Sequence, residues 1–311
     1  MLGLGASINK SSSSESASIA GRSSSFTGLL DESYGGSASA AYSVRRLSGS
    51  YSGKALQIRR VSDNVEVDVS FDNNNEISLD SAVTNVTEET TGSSTNIITR
   101  AVNLGEFVAN ASYTDADSLG STDSAKVQCW YDQSGSSNDT TQNTAGSQPT
   151  IVSSGALVTE NGKPAVQFDG SNDFFSTNQS IRTATVFIVE KGSQSGRNTL
   201  FGSSSSGQEY LRTEGTTIRF QNSSNYVILT GQTSGAHNLI YLDNVSSTTS
   251  LANNGGSPVT ANIDTGAISD FVIGQKTNKN FYSGNLQEMI IYNPSQSSNR
   301  TGIESNVNTF Y

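Results

Sequence analysis

The feature that most constrains the fold is a run of short apolar segments from Val127 onward, each broken by glycine, serine or asparagine. Thr185–Glu190 is almost wholly apolar, which predicts a strand at the centre of a sheet. Similar segments follow at residues 199–201, 210–212, 217–220, 226–229, 238–242, 271–274 and 286–292. Breaks at intervals of about 8–12 residues are typical of a β-sandwich.

The other periodic segments add a strand and short helices to this pattern. Residues 65–71 alternate apolar and polar side chains, which predicts a half-buried strand. Residues 104–111 and 303–311 place apolar side chains three or four positions apart, which predicts two short helices. Residues 79–83 are a candidate for a third helix. The sequence therefore predicts an all-β protein with a few short helices.

Composition, charge and sulfur content exclude several classes of protein. The 12 Phe and 11 Tyr residues argue against a disordered chain. The net charge of −10 argues against nucleic acid as a partner, because phosphate contacts need clustered Lys and Arg. Cys129 is the only cysteine, and its place beside Trp130 in a strand predicts a buried, inert thiol. One histidine, His237, cannot build a multi-histidine metal site, so we expect neither a metal nor a cofactor.

Membrane association and export are not expected either. No apolar stretch approaches the ~20 residues that span a bilayer. The first six residues lack a basic region and a long apolar core, so we expect no secretory signal. The protein is then expected to be made in a cytoplasm and not to be exported by this route.

Two strand–turn units carry candidate ligand-binding residues. One strand runs into a polar turn at Asp132, and the strand at 165–168 runs into Asp169–Gly170, a hairpin signal. Capping of turn amides is the favoured role of both aspartates, and ligand or cation binding is the alternative. Asn172 and Asp173 could add oxygen ligands, but no spacing here matches a known calcium loop.

A sugar site would use aromatic side chains together with polar partners. The sequence does not rank four candidates, Tyr210, Tyr226, Phe281 and Tyr282. The predicted ligand-binding set is Asp132, Asp169, Asn172, Asp173 and Tyr282. Four arginines of the front strands are favoured as ion-pair partners of aspartate over binders of a glycan carboxylate: Arg45, Arg46, Arg59 and Arg60.

The N-terminal segment 1–36 is rich in Ser, Gly and Ala and cannot bury enough apolar area to fold alone. One interpretation is a floppy tail, and the other is an arm that becomes ordered on a partner. The arm hypothesis predicts a homo-oligomer, with a trimer favoured, and six anchors: Leu2, Leu4, Ile8, Phe26, Leu29 and Leu30. The rest, 37–311, is predicted to be one sandwich unit, with a front segment 37–150 and a jelly roll 151–311.

Two family resemblances refine this prediction. From Ala165 onward the chain resembles a concanavalin A-like (laminin G-like) jelly roll, on the motifs at 168–173, 271–274 and 281–288. From Ala41 to Gln142 it resembles the front part of the arabinofuranosidase B catalytic domain. The motifs that carry this second resemblance are at 41–47, 51–53, 58–60, 62–63, 131–134 and 138–139.

The chain departs from the arabinofuranosidase family at the positions that matter for hydrolysis. The family places its nucleophile Glu beside an adjacent cysteine pair, and this chain has one cysteine. The family's acid/base Asp lies in a Gly-Gly-Asp-Asn-Ser-type stretch, and the nearest segment here, 273–278, has no carboxylate. Because glycoside hydrolysis needs two positioned carboxylates, we expect no catalytic residues, no enzyme and no turnover of arabinofuranosides.

The whole arrangement resembles virion proteins of tailed bacteriophages. That resemblance implies a structural subunit of the virion, as head decoration, fibre or tail protein, that displays a lectin-like sandwich. Other virion proteins would bind the N-terminal arm, and a host-surface glycan is a candidate ligand of the sandwich. A glycoside hydrolase of arabinofuranosidase type and a carbohydrate-binding module are the alternatives.

Overall fold

The computed structural model describes residues 26–84, 102–109, 122–177, 180, 185–193, 196–207, 209–244, 248–263 and 267–311. Strands dominate, which confirms the predicted all-β class. The first twelve, β1 to β12, are Ala38–Ser43, Leu56–Arg60, Glu66–Val69, Ala82–Thr84, Val102–Asn103, Ala125–Trp130, Thr140–Thr141, Thr150–Ser153, Ala156–Leu157, Thr159–Glu160, Lys163–Pro164 and Val166–Asp169. The others, β13 to β23, are Phe175–Ser176, Thr185–Gly192, Arg197–Ser203, Tyr210–Glu214, Thr217–Asn222, Asn225–Leu229, Asn238–Asp243, Thr248–Asn253, Val259–Asn262, Phe271–Ile273 and Ser283–Tyr292.

The first layer of the sandwich is built around β23, the longest strand. One edge of β23 pairs with the whole length of β14. The other edge pairs first with β12 and then with β1. Beyond β14, the sheet continues through β19, β20 and β21, all antiparallel. The first and last strands of the described sandwich are therefore direct neighbours.

The second layer joins the front segment to the later strands. β2 lies between β3 and β6, and β6 pairs with β7 and β8. From β7 the sheet continues through β13, β22, β15, β16, β17 and β18. Thr150 of β8 pairs with Gln167 of β12, which links the two layers at one edge. The front segment thus forms part of the same sheet as the jelly roll.

The main core lies between the layers and follows the alternation in the sequence. Val186 and Ile188 of β14 point into this core, and Phe187 points to the opposite side, as period-two alternation requires. Trp130 is fully buried, with ring centroids 6.2 Å from Tyr42 and 6.3 Å from Phe175. The motif around Trp130 therefore holds the front strands against the rest of the core.

Helices and turns depart only slightly from the sequence-based expectation. Two predicted helices are confirmed, α1 at Leu104–Ala109 and α2 at Arg300–Phe310. The helix proposed at 79–83 is wrong, because a turn there leads into β4. Cys129 is buried and free, and burial raises the pKa of its thiol to about 12, as expected for an inert cysteine. Among the described residues, no helix is long and apolar enough to cross a membrane.

A second, smaller core covers the outer face of the first layer. Ile303 and Val307 of α2 pack there against side chains such as Phe187 and Ile290. Leu29 lies in the same cluster and is fully buried. The outer face is apolar, so it needs this cover to keep it from water.

The position of Leu29 corrects the predicted boundary of the N-terminal arm at residue 36. The described part from Phe26 onward already packs on the sandwich: the Phe26 ring lies under the Arg46 guanidinium, and Leu30 packs on the second core. Leu29 is thus an anchor within the chain's own fold. The proposed anchors Leu2, Leu4 and Ile8 lie outside the described residues, and their role stays a prediction.

Candidate functional site

The candidate site lies on the outer side of the three-stranded meander β16–β18. Leu211 and Phe220 of this meander point into the main core, so their sequence neighbours point away from it. We call the outward set the meander face. It consists of Tyr210, Arg212, Arg219, Gln221 and Tyr226, together with Lys276 from the loop after β22.

Strand register places the polar and aromatic residues of the meander face in one row. Tyr210 on β16 is opposite Gln221 on β17, and Gln221 is opposite Tyr226 on β18. Directly opposed residues project to the same side of a sheet, at about 4.5–5.5 Å between Cβ atoms. The Tyr210 hydroxyl donates to Gln221 Oε1 at 2.8 Å, and Arg219 Nη2 donates to the same oxygen at 2.7 Å.

Cations lie against both tyrosine rings of this row. The Arg219 guanidinium carbon is 3.9 Å from the centroid of the Tyr226 ring. The Lys276 ammonium is 3.6 Å from the centroid of the Tyr210 ring, and the Arg212 guanidinium carbon is 5.2 Å from it. Tyr226 is 50% exposed, whereas Tyr210 is 3% exposed. Tyr226 is therefore the ring of this row that solvent reaches, with Arg219 against it, whereas the Tyr210 ring is buried in contact with Lys276 and Arg212.

The meander face is locally positive in a chain of net charge −10. Arg212 and Arg219 are directly opposite each other on β16 and β17, an arrangement in which like charges repel. Glu214 offsets the charge of Arg212 and of the neighbouring Arg197, with its oxygens 2.7 Å from Arg212 and 3.1 Å from Arg197. Desolvation, and then the charges of Arg212, Arg197 and Arg219, lower the pKa of Lys276 to about 8.

Lys276 is brought to this face by the geometry of its loop. A Cβ atom on Gly202 of β15 would lie 2.9 Å from the Lys276 Cβ, so glycine at 202 permits the close approach. The Lys276 ammonium also donates to the main-chain oxygen of Gly207 at 3.0 Å. Lys276 belongs to the segment 273–278, where the arabinofuranosidase resemblance would place an acid/base Asp. In this segment the structure therefore has the Lys276 ammonium, against the Tyr210 ring.

The aspartates of the predicted ligand-binding set cap turns. The Asp132 carboxylate accepts hydrogen bonds from the amides of Ala41, Ser134 and Asn138. Asp169 Oδ1 accepts from the amides of residues 171, 172 and 173. These are the turn-capping contacts that the sequence favoured over ligand binding.

The rest of the predicted set lies beside the second of these turns. Asp173 accepts from the Asp169 amide, and burial followed by the charge of Asp169 raises the pKa of Asp173 to about 6. The Asn172 side chain donates to a main-chain oxygen. Tyr282 is fully buried, with its ring centroid 5.5 Å from that of Phe168, the residue before Asp169. Asp132 belongs to the separate turn after β6. Ligand binding by this set stays a prediction.

A buried carboxyl group was missed by sequence reasoning. Glu190, two residues before the end of β14, is fully buried and contributes to a small polar pocket together with Ser193, Thr213 and Gln232. Its carboxyl accepts from Asn238 Nδ2 at 2.6 Å and from the Tyr282 hydroxyl at 2.9 Å. Burial raises the pKa of Glu190 to about 7. The signal in the sequence is a glutamate directly after the apolar run at 186–189. Among the described residues, no group of three or more His, Cys, Asp or Glu could hold a metal ion.

Comparison with known proteins gives structural relatives only. No family model matches the chain, and no curated protein matches it. A GH54 α-L-arabinofuranosidase soaked with a cyclic sulfate inhibitor is similar over 90% of this chain and 65% of the enzyme, with a TM-score of 0.60 at 16% identity. An arabinofuranosidase complexed with arabinofuranosyl-α-1,2-xylobiose is similar over 87% of this chain and 62% of the enzyme, with a TM-score of 0.56 at 16% identity.

The chain shares the fold of GH54 arabinofuranosidases. It spans less than two thirds of the length of these enzymes. The similarity bears out the resemblance of the front segment at the level of fold. It also corrects the prediction that the chain is not an enzyme, because the fold it shares over nine tenths of its length is that of glycoside hydrolases solved with inhibitor and substrate. Neither of these two similar proteins is a virion protein.

Proposed function

We propose that the chain is a carbohydrate-active β-sandwich that binds a saccharide on the meander face. The observation that carries this proposal is the half-exposed Tyr226 ring, which lies in a row with Gln221 and against Arg219. Sugar sites combine an apolar aromatic surface with a few fixed polar groups that set orientation. Gln221 Oε1 accepts two hydrogen bonds from its neighbours and Gln221 Nε2 donates to the main-chain oxygen of Ser223, so these contacts fix the amide beside the Tyr226 ring.

The shared fold supports the same proposal from a second direction. One of the similar arabinofuranosidases was solved with a pentose-containing saccharide, arabinofuranosyl-α-1,2-xylobiose. The segment 273–278, where the resemblance would place a catalytic residue of that family, contacts the meander face through Lys276 and Tyr210. The proposed site therefore lies beside the position that the resemblance associates with bond cleavage. A pentose-containing saccharide is the first ligand to test.

Replacing Tyr226 by alanine is expected to weaken saccharide binding about tenfold, because stacking of a sugar on an exposed ring contributes about 1.4 kcal/mol. Isothermal titration calorimetry of the full chain with arabinofuranosyl-xylobiose, after a glycan-array survey, measures the change. Val61→Ala is the matched control, because Val61 is another exposed apolar side chain, 42% exposed, and lies in the turn after β2, outside the meander face. Equal affinity of Y226A and the parent chain would exclude the meander face, and absence of binding to any saccharide would exclude the function.

The finer proposal, a subunit of a tailed-bacteriophage virion, is supported by the resemblance of the sequence to such proteins. Deleting residues 2–25 is then expected to leave the melting temperature unchanged but to abolish incorporation into particles. Leu29 and Leu30 remain in this variant, so the second core is kept. Quantitative mass spectrometry of purified particles measures incorporation, and light scattering of the isolated chain tests for the trimer. Normal incorporation of the shortened chain would show that the segment is not an anchor.

A further inference from the structure

We propose that the meander face binds the carboxylate of an acidic saccharide through Arg212, Arg219 and Lys276. This inference rests on the proposed saccharide binding and adds the chemical class of the ligand. It also differs from the sequence-based expectation, which considered only arginines of the front strands as binders of a glycan carboxylate. None of the three cations of the meander face was among them.

The first argument is the imbalance of charge on the meander face. Arg212 and Arg219 oppose each other on neighbouring strands, and Lys276 shares the Tyr210 ring with Arg212. Glu214 forms its ion pairs with Arg212 and Arg197. In the part of the chain that the structure describes, Arg219 and Lys276 form no ion pair with a carboxylate. An external anion would neutralise the repulsion that this arrangement creates.

The second argument is a pair of hydrogen-bond donors without acceptors. Arg212 is 6% exposed, and its Nε has no hydrogen-bond partner among the described residues. The buried Nε of Arg219, opposite it, also lacks one within the described chain. A buried donor without an acceptor is destabilising, so a ligand that supplies the acceptor is favoured. A carboxylate fits well because it can accept from two guanidinium donors at once.

The third argument separates an acidic saccharide from other anions. A saccharide ring has apolar C–H faces that can lie on the exposed ring of Tyr226, next to the cations. A nucleic acid presents a row of phosphates, and the net charge of −10 opposes its approach. The meander face offers three cations in a compact group, which suits one carboxylate on a sugar. A uronic acid residue within a glycan has both an apolar C–H face and a single carboxylate.

The test compares two ligands that differ in charge alone, an oligogalacturonate and its methyl ester. Calorimetry of the full chain at low salt is expected to give at least tenfold tighter binding of the acid form. Arg219→Gln is expected to reduce this preference to less than threefold. Arg219→Lys keeps the charge but loses the paired donors, so an intermediate preference is expected. Lys54→Gln, in the loop before β2, is the control for a lost surface cation and should keep the full preference.

The possible outcomes separate this inference from the proposed function. Equal binding of both forms, or binding of arabinofuranosyl-xylobiose alone, would overturn the acidic ligand and leave saccharide binding intact. Failure to bind any saccharide would overturn both. Equal binding of inorganic phosphate or single-stranded DNA, lost in R219Q, would show a general anion site and overturn the inference. Circular dichroism and melting temperatures of R219Q and R219K establish that each variant is folded.

Discussion

Replacing Arg45 by alanine is expected to lower the free energy of unfolding by about 3–5 kcal/mol, because it leaves a buried carboxylate without its partner. Arg45 binds Glu288 in a two-pronged pair, with Nε at 2.8 Å and Nη2 at 3.0 Å from the carboxylate oxygens. The side chain of Glu288 is 1% exposed. Its remaining hydrogen bonds, from Ser43 and the Tyr311 hydroxyl, are too few to replace a cation.

Urea unfolding of R45A measures this loss, and two further variants test its cause. Lys163→Ala removes a more exposed pair, Lys163–Glu76 at 2.9 Å, and is expected to cost less than about 1 kcal/mol. The double variant R45M/E288L removes both buried charges and is expected to recover most of the stability. A loss below about 1 kcal/mol in R45A, or no recovery in the double variant, would contradict the explanation by an unpaired buried charge.

The second large effect is a dependence of stability on pH that arises from Glu190. Burial raises the pKa of Glu190 to about 7 from its ordinary value of 4.5, so the folded state holds a proton that the unfolded state releases. The favourable contribution is complete below pH 4.5 and is lost as the pH rises through 7. A shift of this size corresponds to a loss of about 3 kcal/mol across that interval.

Denaturant unfolding at a series of pH values between about 4 and 8.5 measures this slope. Glu190→Gln has no titrating group at this position, so its free energy of unfolding should lack the part of the fall that Glu190 contributes, while the part from Asp173 remains. The free energy of unfolding of E190Q, relative to that of the parent chain, should therefore rise by about 3 kcal/mol from low to high pH. Glu66→Gln replaces an exposed glutamate at the start of β3 and should preserve the parent slope. Parallel pH profiles of E190Q and the parent chain would show that Glu190 does not titrate in this interval.

The strands were predictable because their signal is local. Alternation at 65–71 and the apolar run at 185–190 each report burial on a sheet, without knowledge of the strands' neighbours. β4 was missed because it has three residues, too few to show a period. The packing of Leu29 on the second core was missed because Leu29 lies in a Ser- and Gly-rich segment and its contacts are with residues distant in the sequence.

The meander face was not predictable because it depends on register. Tyr210, Gln221 and Tyr226 are neighbours only after two hairpins set which residues are opposed. Both tyrosines were among the sugar-binding candidates, but the sequence could not connect them to each other or to Lys276. Pairing of arginines with aspartates was correct for Arg60, which binds Asp63 at 2.5 Å. Arg45 instead binds a glutamate 243 residues away, a contact that local spacing cannot show.

The pairing of β1 with β23 has a consequence for synthesis on the ribosome. Tyr42 is opposite Met289, so β1 cannot meet its partner until almost the whole described chain has been made. Until then the growing chain carries an unpaired edge with apolar residues, which is a template for association with other chains. We expect fragments that stop before residue 283 to aggregate. Slower translation would therefore lengthen the time during which β1 is exposed without β23, and we expect it to increase aggregation.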